Sequence, residues 1–129
     1  MIVVDTSVWI DWIWRRQTDG ATKLELLINK DVIGLGDIVL LEVLQGARDD
    51  LHAERLQDAL AGYQPVAMLD NRIAIKAASN YRHLRAKGIT IRTTADLVIG
   101  TWCIENKVPL LHNDRDFRPM VEHLGLTEL

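Results

Sequence analysis

Three acidic residues lie where a carboxylate is costly unless a positive charge lies beside it. Asp114 and Asp116 follow directly after the apolar pair 110–111, two positions apart, in the stretch "LLHNDRDF". Like charges this close repel each other unless a cation neutralises them. Glu42 lies in the apolar run "IVLLEVLQG", where a glutamate is rarely buried without a partner or a metal ion. These positions indicate chemistry that gathers carboxylates around a cation.

Two further acids are candidates. One comes directly after an apolar strand pattern, and the other lies in the first turn of a predicted helix. Asp5 ends the β-branched run Ile2–Val4, which is typical of a strand buried on both faces. Asp96 lies in "TTADLVIG", and its helical spacing predicts that it shares one inward-facing side of a helix with Ile99, Gly100 and Cys103. Asp96 would therefore be carried into the interior together with its apolar neighbours.

Each acid taken alone also has a structural interpretation. These are a helix cap for Asp5, an arginine partner for Glu42, a capping box for Asp96, and a solvated turn for Asp114 and Asp116. Taken together, several carboxylates in one small domain cannot all stay ionised without a cation. An all-oxygen ligand set suits Mg²⁺ or Mn²⁺, and the four histidines show no metal-binding spacing, which indicates structural or surface roles.

Short apolar runs separated by helical patterns predict an α/β domain around a small parallel sheet. The strands are expected at residues 2–4, 65–69 and 109–112. Helices are expected over residues 6–13, 21–29, 38–47, 52–60, 71–87 and 93–107. In such sheets ligands bind beyond the carboxyl ends of the strands, where Asp5 and Asp114 both fall.

Length and composition indicate the number of domains and the cellular compartment. The 129 residues predict a single domain spanning 1–129. The one cysteine, Cys103, excludes an internal disulfide and fits a reducing cytosol. The start "MIVVDTSVWIDW" has no basic region typical of a signal peptide, and Asp37 and Glu42 interrupt the longest apolar region, 32–44. We therefore expect a soluble cytoplasmic protein without a membrane segment.

Charge is distributed unevenly along the chain. Residues 70–92 carry a balance of +5 and the remainder carries −8, within a net charge of −3. Helical spacing places Arg72, Lys76, His83 and Lys87 on one face, with Arg82 and Arg85 beside it. A solvated helix face explains this pattern, and so does contact with phosphate groups.

The sequence resembles a known family. The segments "VVDTSVWID", "LLEVLQGA" and "TTADLVIGTWCIENKVPLLHNDRDF", in this order and spacing, are similar to a PIN domain of the VapC-type toxin ribonucleases. The resemblance implies a three-layer α/β/α domain with a small, mainly parallel central sheet flanked by helices. It also implies Mg²⁺- or Mn²⁺-dependent hydrolysis of RNA, with tRNA or ribosomal RNA as substrates.

The resemblance also assigns roles to individual residues. Asp5, Glu42, Asp96 and Asp114 match the family's acidic quartet, and Asp116 matches an additional acid. Thr6 or Ser7 falls where the family uses a hydroxyl to order the site, and Asn113 flanks it. Such toxins inhibit translation and growth, and a VapB-type antitoxin presents a basic side chain to the acids.

Rival functions fit the sequence less well. An aspartyl-nucleophile phosphatase would need a second aspartate at position 7, which is Ser7, and neither glycine-rich nucleotide motif is present. A catalytically silent PIN-fold module that binds protein or RNA remains an alternative, although none of the acids is missing. Three indoles on a short first helix, Trp9, Trp12 and Trp14, cannot all face one core, so we expect a homodimer or a partner peptide to cover the remainder.

Overall fold

A computed structural model describes all residues from Met1 to Leu129. The four strands are β1 (Ile2–Val4), β2 (Ile33–Gly36), β3 (Gln64–Val66) and β4 (Leu110–Leu111). The seven helices are α1 (Thr6–Ile13), α2 (Asp19–Leu27), α3 (Asp37–Gln45), α4 (Asp50–Leu60), α5 (Asn71–Ala86), α6 (Thr94–Asn106) and α7 (Arg118–Leu124). The predicted α/β class and the six predicted helices are confirmed, with ends shifted by a few residues.

The strands form one parallel sheet in the order β3-β2-β1-β4. Helices connect the strands and cover both faces, which gives the three-layer α/β/α arrangement expected from the resemblance. Strand β1 lies between β2 and β4 and is completely buried, as its three apolar β-branched residues predicted. The carboxyl ends of β1 and β4 therefore meet at the same edge of the sheet.

Strand β2 is absent from the sequence prediction, so the strand predicted at 65–69 corresponds to the third strand, β3. The predicted end is wrong, because β3 stops at Val66 and residues 67–69 are not in a strand. Two of the four residues of β2, Gly34 and Gly36, are glycines, which weaken the propensity signal for a strand. A Cβ at Gly34 would lie 3.2 Å from Met1 Sδ and 3.3 Å from the Ile2 carbonyl oxygen. Close packing against β1 explains why a residue with poor strand propensity occupies this position.

Segment 127–129 lies along the outer edge of β4. The Leu110 amide donates to the Thr127 carbonyl at 2.9 Å, and the Leu129 amide donates to the Leu110 carbonyl at 3.0 Å. These bonds form an isolated parallel bridge between Leu110 and Glu128. They satisfy polar backbone groups that an open sheet edge would leave unpaired.

The three tryptophans at α1, two within the helix and Trp14 at its C-cap, differ in burial as expected. Trp9 is fully buried, Trp12 is half-buried, and Trp14 is 55% exposed. The prediction that the three indoles cannot share one core is confirmed. None of the helices is long and apolar enough to cross a membrane.

Candidate active site

The sheet brings two of the predicted acids to one edge. Asp5 follows β1, and its amide donates to the Leu111 carbonyl of β4 at 2.9 Å, while Asp114 lies three residues beyond Leu111. Asp96 lies in the first turn of α6, whose N-cap is Thr93. We call Asp5, Glu42, Asp96, Asp114 and Asp116 the acidic centre.

Asp5 is almost completely buried, and one of its oxygens has no partner. Its Oδ2 accepts hydrogen bonds from the Ser7 amide at 3.0 Å and the Ser7 hydroxyl at 2.6 Å, so Asp5 does cap α1. Its Oδ1 is buried without a hydrogen bond. Burial raises the pKa of Asp5, and the charge of Asp114 adds to this effect. A buried, unpaired carboxylate oxygen destabilises a protein unless a donor or cation satisfies it.

Asp96 is held in a similar environment. Burial, reinforced by the charges of Asp5, Asp114 and Glu42, raises the pKa of Asp96 to about 6. Carboxylate oxygens of Asp96, Asp114 and Asp116 lie within 4.8 Å of one another. Its inward orientation, predicted from helical spacing, is confirmed because its helical neighbours Ile99, Gly100 and Cys103 are all buried.

The capping box predicted at Asp96 is only half formed. The Thr93 hydroxyl accepts from the Asp96 amide at 3.2 Å, as a capping threonine does. The return bond from the Thr93 amide to the Asp96 carboxylate is absent. The Thr93 side chain also interacts with the Asp96 carboxylate and partly offsets the rise in its pKa, but no backbone amide of the cap takes up that carboxylate.

The raised pKa of Asp96 predicts a pH-dependent stability in the absence of metal. Its pKa is about 6 in the folded protein against 3.8 for the free side chain, so the folded state binds more protons between these values. Stability should fall as the pH rises from about 4 to about 6 and stay lower above it. At pH 7.5 with EDTA, Asp96→Asn should raise stability by on the order of 1 kcal/mol, and by much less at pH 4. Urea denaturation at both pH values measures this, and an equal effect at both would contradict it.

Glu42 joins the acidic centre from α3. The Thr6 hydroxyl donates to Glu42 Oε1 at 2.7 Å, which links α3 to the start of α1. No arginine lies against Glu42, so the ion-pair alternative is wrong. The apolar run does not bury Glu42 completely, because this face of α3 is partly open: Leu41 is 56% exposed and Glu42 is half-buried.

Ser7 and Asn113 connect the acids to neighbouring elements. The Ser7 hydroxyl, besides donating to Asp5, accepts from the Asn113 amide at 3.1 Å. The Asn113 side chain donates to Asp11 at 2.8 Å and to Thr18 at 3.0 Å, and it accepts from the Gly20 amide at 3.2 Å. The turn after β4 is thereby fixed to both α1 and α2.

Arg92 is the residue that sequence reasoning missed. Its Nε and Nη2 both donate to Asp116 Oδ2, at 3.0 and 2.7 Å. At this oxygen of Asp116 a guanidinium supplies a positive charge. Asp116, followed by Asp114 and Asp96, raises the pKa of Arg92. The available signal was its membership of the basic stretch 70–92.

The basic face of α5 extends away from the acidic centre. Arg72 lies 3.6 Å from Glu105, and Asn80 donates to Thr101 at 3.1 Å, so α5 runs antiparallel to α6. Glu105 is nine residues beyond Asp96, which corresponds to about 13 Å along the helix. Arg72 and Lys76 therefore lie at the far end. Arg82, Arg85 and Lys87 lie at the end of α5 nearer to Asp96.

Fold and site together define an α/β protein with an acidic centre at the carboxyl edge of a parallel sheet. Residues 2–121 match the model of the PIN domain family, and the chain belongs to this family. It is 29% identical, over 120 residues, to VapC ribonuclease Mb1587 of Mycobacterium bovis and to ribonuclease VapC11 of Mycobacterium tuberculosis. These alignments cover 91% of this chain and 89% of each relative.

Solved structures show the same fold. VapBC2 from Rickettsia felis, bound to a DNA fragment from its promoter, aligns with a TM-score of 0.80 at 21% identity. VapBC-1 from nontypeable Haemophilus influenzae aligns with a TM-score of 0.76 at 18% identity. Both alignments cover 100% of this chain, and they cover 98% and 97% of the matched chains. The expected PIN-like architecture is confirmed.

Proposed function

We propose that this protein is a VapC-type toxin endoribonuclease that hydrolyses RNA phosphodiester bonds with the aid of Mg²⁺ or Mn²⁺. The observation that carries the proposal is the buried, unpaired Asp5 Oδ1 beside Asp96 and Asp114. The names of the mycobacterial relatives support ribonuclease activity. Cleavage of tRNA or ribosomal RNA would inhibit translation and growth.

The acidic centre fits a hard divalent cation. Asp5, Asp96 and Asp114 would hold it, with Asp116 as an additional ligand, and all the donor atoms are oxygens. Burial and, after it, repulsion from Asp5, Asp114 and Glu42 raise the pKa of Asp96, and a bound ion would stabilise its charged form against both. When bound, it lowers the pKa of water and neutralises charge on the scissile phosphate.

The remaining residues orient the reactants. Glu42 uses one oxygen to accept from Thr6, and its other oxygen has no partner and can take the proton of an attacking water. Arg92 keeps its charge beside Asp116 and makes no bond through Nη1, which leaves a donor for a phosphate oxygen. Ser7 holds Asp5 in place for the metal ion. RNA outside the cleavage point would contact Arg82, Arg85 and Lys87 first, with Arg72 and Lys76 further along α5.

The proposed partners are a VapB-type antitoxin and a second copy of the chain. The names of the solved relatives VapBC2 and VapBC-1 support the antitoxin. Trp14, which is 55% exposed at the C-cap of α1, supports an interface at this end of the helix, because aromatic residues are enriched at interfaces. We propose the cytoplasm as the location, where RNA substrate and antitoxin meet the toxin.

A cleavage assay tests the proposed activity. The purified chain should cleave RNA with Mg²⁺ or Mn²⁺, excess EDTA should stop the reaction, and fresh metal ion should restore it. Sequencing of 5′ ends after brief induced expression would identify the RNA that is cut. Cleavage that continues in EDTA would contradict the metal requirement. RNA binding without cleavage would favour the silent binding module.

A further inference from the structure

A chain of side-chain contacts connects the outer edge of the sheet to the acidic centre. Glu128, in segment 127–129, has its Oε2 2.8 Å from His112 Nε2, and His112 Nδ1 accepts from the Asp114 amide at 3.1 Å. Arg118 donates to the other oxygen, Glu128 Oε1, at 2.7 Å. Each group is thus held by the one before it, from Arg118 through Glu128 and His112 to Asp114.

These contacts require one form of the His112 ring. Nδ1 can accept from the Asp114 amide only when it carries no proton, so the proton of the neutral ring lies on Nε2 and is donated to Glu128. The side chain is only 8% exposed and packs against buried Phe117, with ring centroids 5.0 Å apart. The ring is therefore fixed in both position and tautomer.

The bond to His112 acts on the backbone of Asp114, where the turn begins. Asp114 Oδ1 accepts from the Asp116 amide at 2.9 Å, which leaves one carboxylate oxygen for a cation. The direction of that oxygen depends on where the Asp114 backbone is held. Partners that hold a ligand in place typically change metal affinity or activity by about 10–100-fold when they are removed.

We propose that Glu128 and His112 are positioning residues for Asp114, so that segment 127–129 sets the metal affinity of the acidic centre. The inference rests on the proposed metal-dependent function. Segment 127–129 lies on the side of β4 away from β1. Glu128 and His112 would act on the acidic centre through Asp114, without direct contact with RNA or the metal ion.

The test compares Glu128→Ala with Glu128→Gln. Glutamine keeps an acceptor for His112 Nε2–H, whereas alanine removes it and leaves the backbone bonds of Thr127 and Leu129 unchanged. Glu122→Ala is the matched control, since exposed Glu122 on α7 has only His123 nearby, at 4.0 Å. Mn²⁺ affinity is measured from free Mn²⁺ by electron paramagnetic resonance. The Asp114 amide and the His112 ring nitrogens are followed by ¹⁵N NMR in the metal-free protein.

We expect Glu128→Ala to weaken Mn²⁺ binding by about tenfold, to shift the Asp114 amide and to mix the His112 tautomers. Glu128→Gln and Glu122→Ala should resemble the unmutated protein in all three measurements. Unchanged Mn²⁺ affinity and an unchanged Asp114 amide in Glu128→Ala would overturn the inference alone. An unmutated protein that binds no Mn²⁺ would overturn the proposed function and this inference together.

If Glu128→Ala does not fold, a second pair of variants, His112→Asn and His112→Leu, tests the same inference. Asn at position 112 places an acceptor near the position of Nδ1, whereas Leu offers none. His112→Asn should therefore bind Mn²⁺ more tightly than His112→Leu, and its Asp114 amide should stay closer to that of the unmutated protein. Equal affinities would overturn the inference.

Discussion

Asp96→Asn should abolish metal-dependent RNA cleavage, by about a thousandfold or more, while the protein stays folded. The substitution removes a charged ligand from the acidic centre, where several kcal/mol of charge stabilisation depends on the metal ion. The helix start survives, because Thr93 caps α6 through the backbone amide of residue 96, which asparagine retains. Initial cleavage rates at saturating Mg²⁺ and circular dichroism measure the two parts of this prediction.

The matched control is Asp70→Asn at the start of α5. Asp70 is exposed and caps its helix by accepting from the Ile73 amide at 2.8 Å, outside the acidic centre. Its substitution changes the net charge equally and should leave cleavage unchanged. If Asp96 were only a capping residue, the two variants would behave alike. Wild-type cleavage by Asp96→Asn would therefore contradict the ligand role.

The second large effect concerns inhibition by the proposed antitoxin. A complex with an antitoxin that lacks its C-terminal tail should cleave RNA at least about a hundredfold faster than the complete complex. A basic side chain in the acidic centre forms charge-assisted bonds worth about 3 kcal/mol, which corresponds to about two orders of magnitude. Arg92 already donates to Asp116 Oδ2. We therefore expect the basic side chain of the antitoxin to contact Asp5, Asp96 and Asp114. Excess Mg²⁺ should compete only in part.

Antitoxin tails of equal length but different charge distinguish inhibition by charge from inhibition by steric blocking of the acidic centre. A tail whose arginines and lysines are replaced by glutamine should still bind but inhibit poorly. Cleavage is compared between purified complexes with the native, substituted and deleted tails. A tailless complex that stays silent, or a neighbouring gene product that does not bind, would show that occupancy of the acidic centre is not the mechanism.

The parts of the fold that depend on local pattern could be predicted from the sequence. The buried strand Ile2–Val4, the helix limits within a few residues, and the inward face of α6 follow from periodicity and capping signals. The candidate acids also stood out locally, because each follows a strand or lies on an apolar helix. The convergence of Asp5 and Asp114 followed from a general rule of parallel sheets, that strand ends meet at one edge.

The remaining features depend on contacts between residues far apart in the chain. Arg92 lies 24 positions from Asp116, and His112 lies 16 positions from Glu128, so neither pair has a local spacing signal. Helical periodicity placed Arg72 and Lys87 on one face but could not give the direction of α5 relative to α6. Strand β2 was missed because close packing against β1, rather than strand propensity, selects Gly34.

The position of β1 in the middle of the sheet has a consequence for synthesis. Val4 pairs with Leu111, so the loop that closes the acidic centre spans more than a hundred residues. Long-range pairing comes late in folding, because the entropy of closing a loop must be overcome before its contacts stabilise it. A ribosome-bound chain that lacks β4 therefore has Asp5, Glu42 and Asp96 but no assembled centre. We therefore expect the proposed nuclease to stay inert beside the translating ribosome until β4 and the Asp114 turn have emerged.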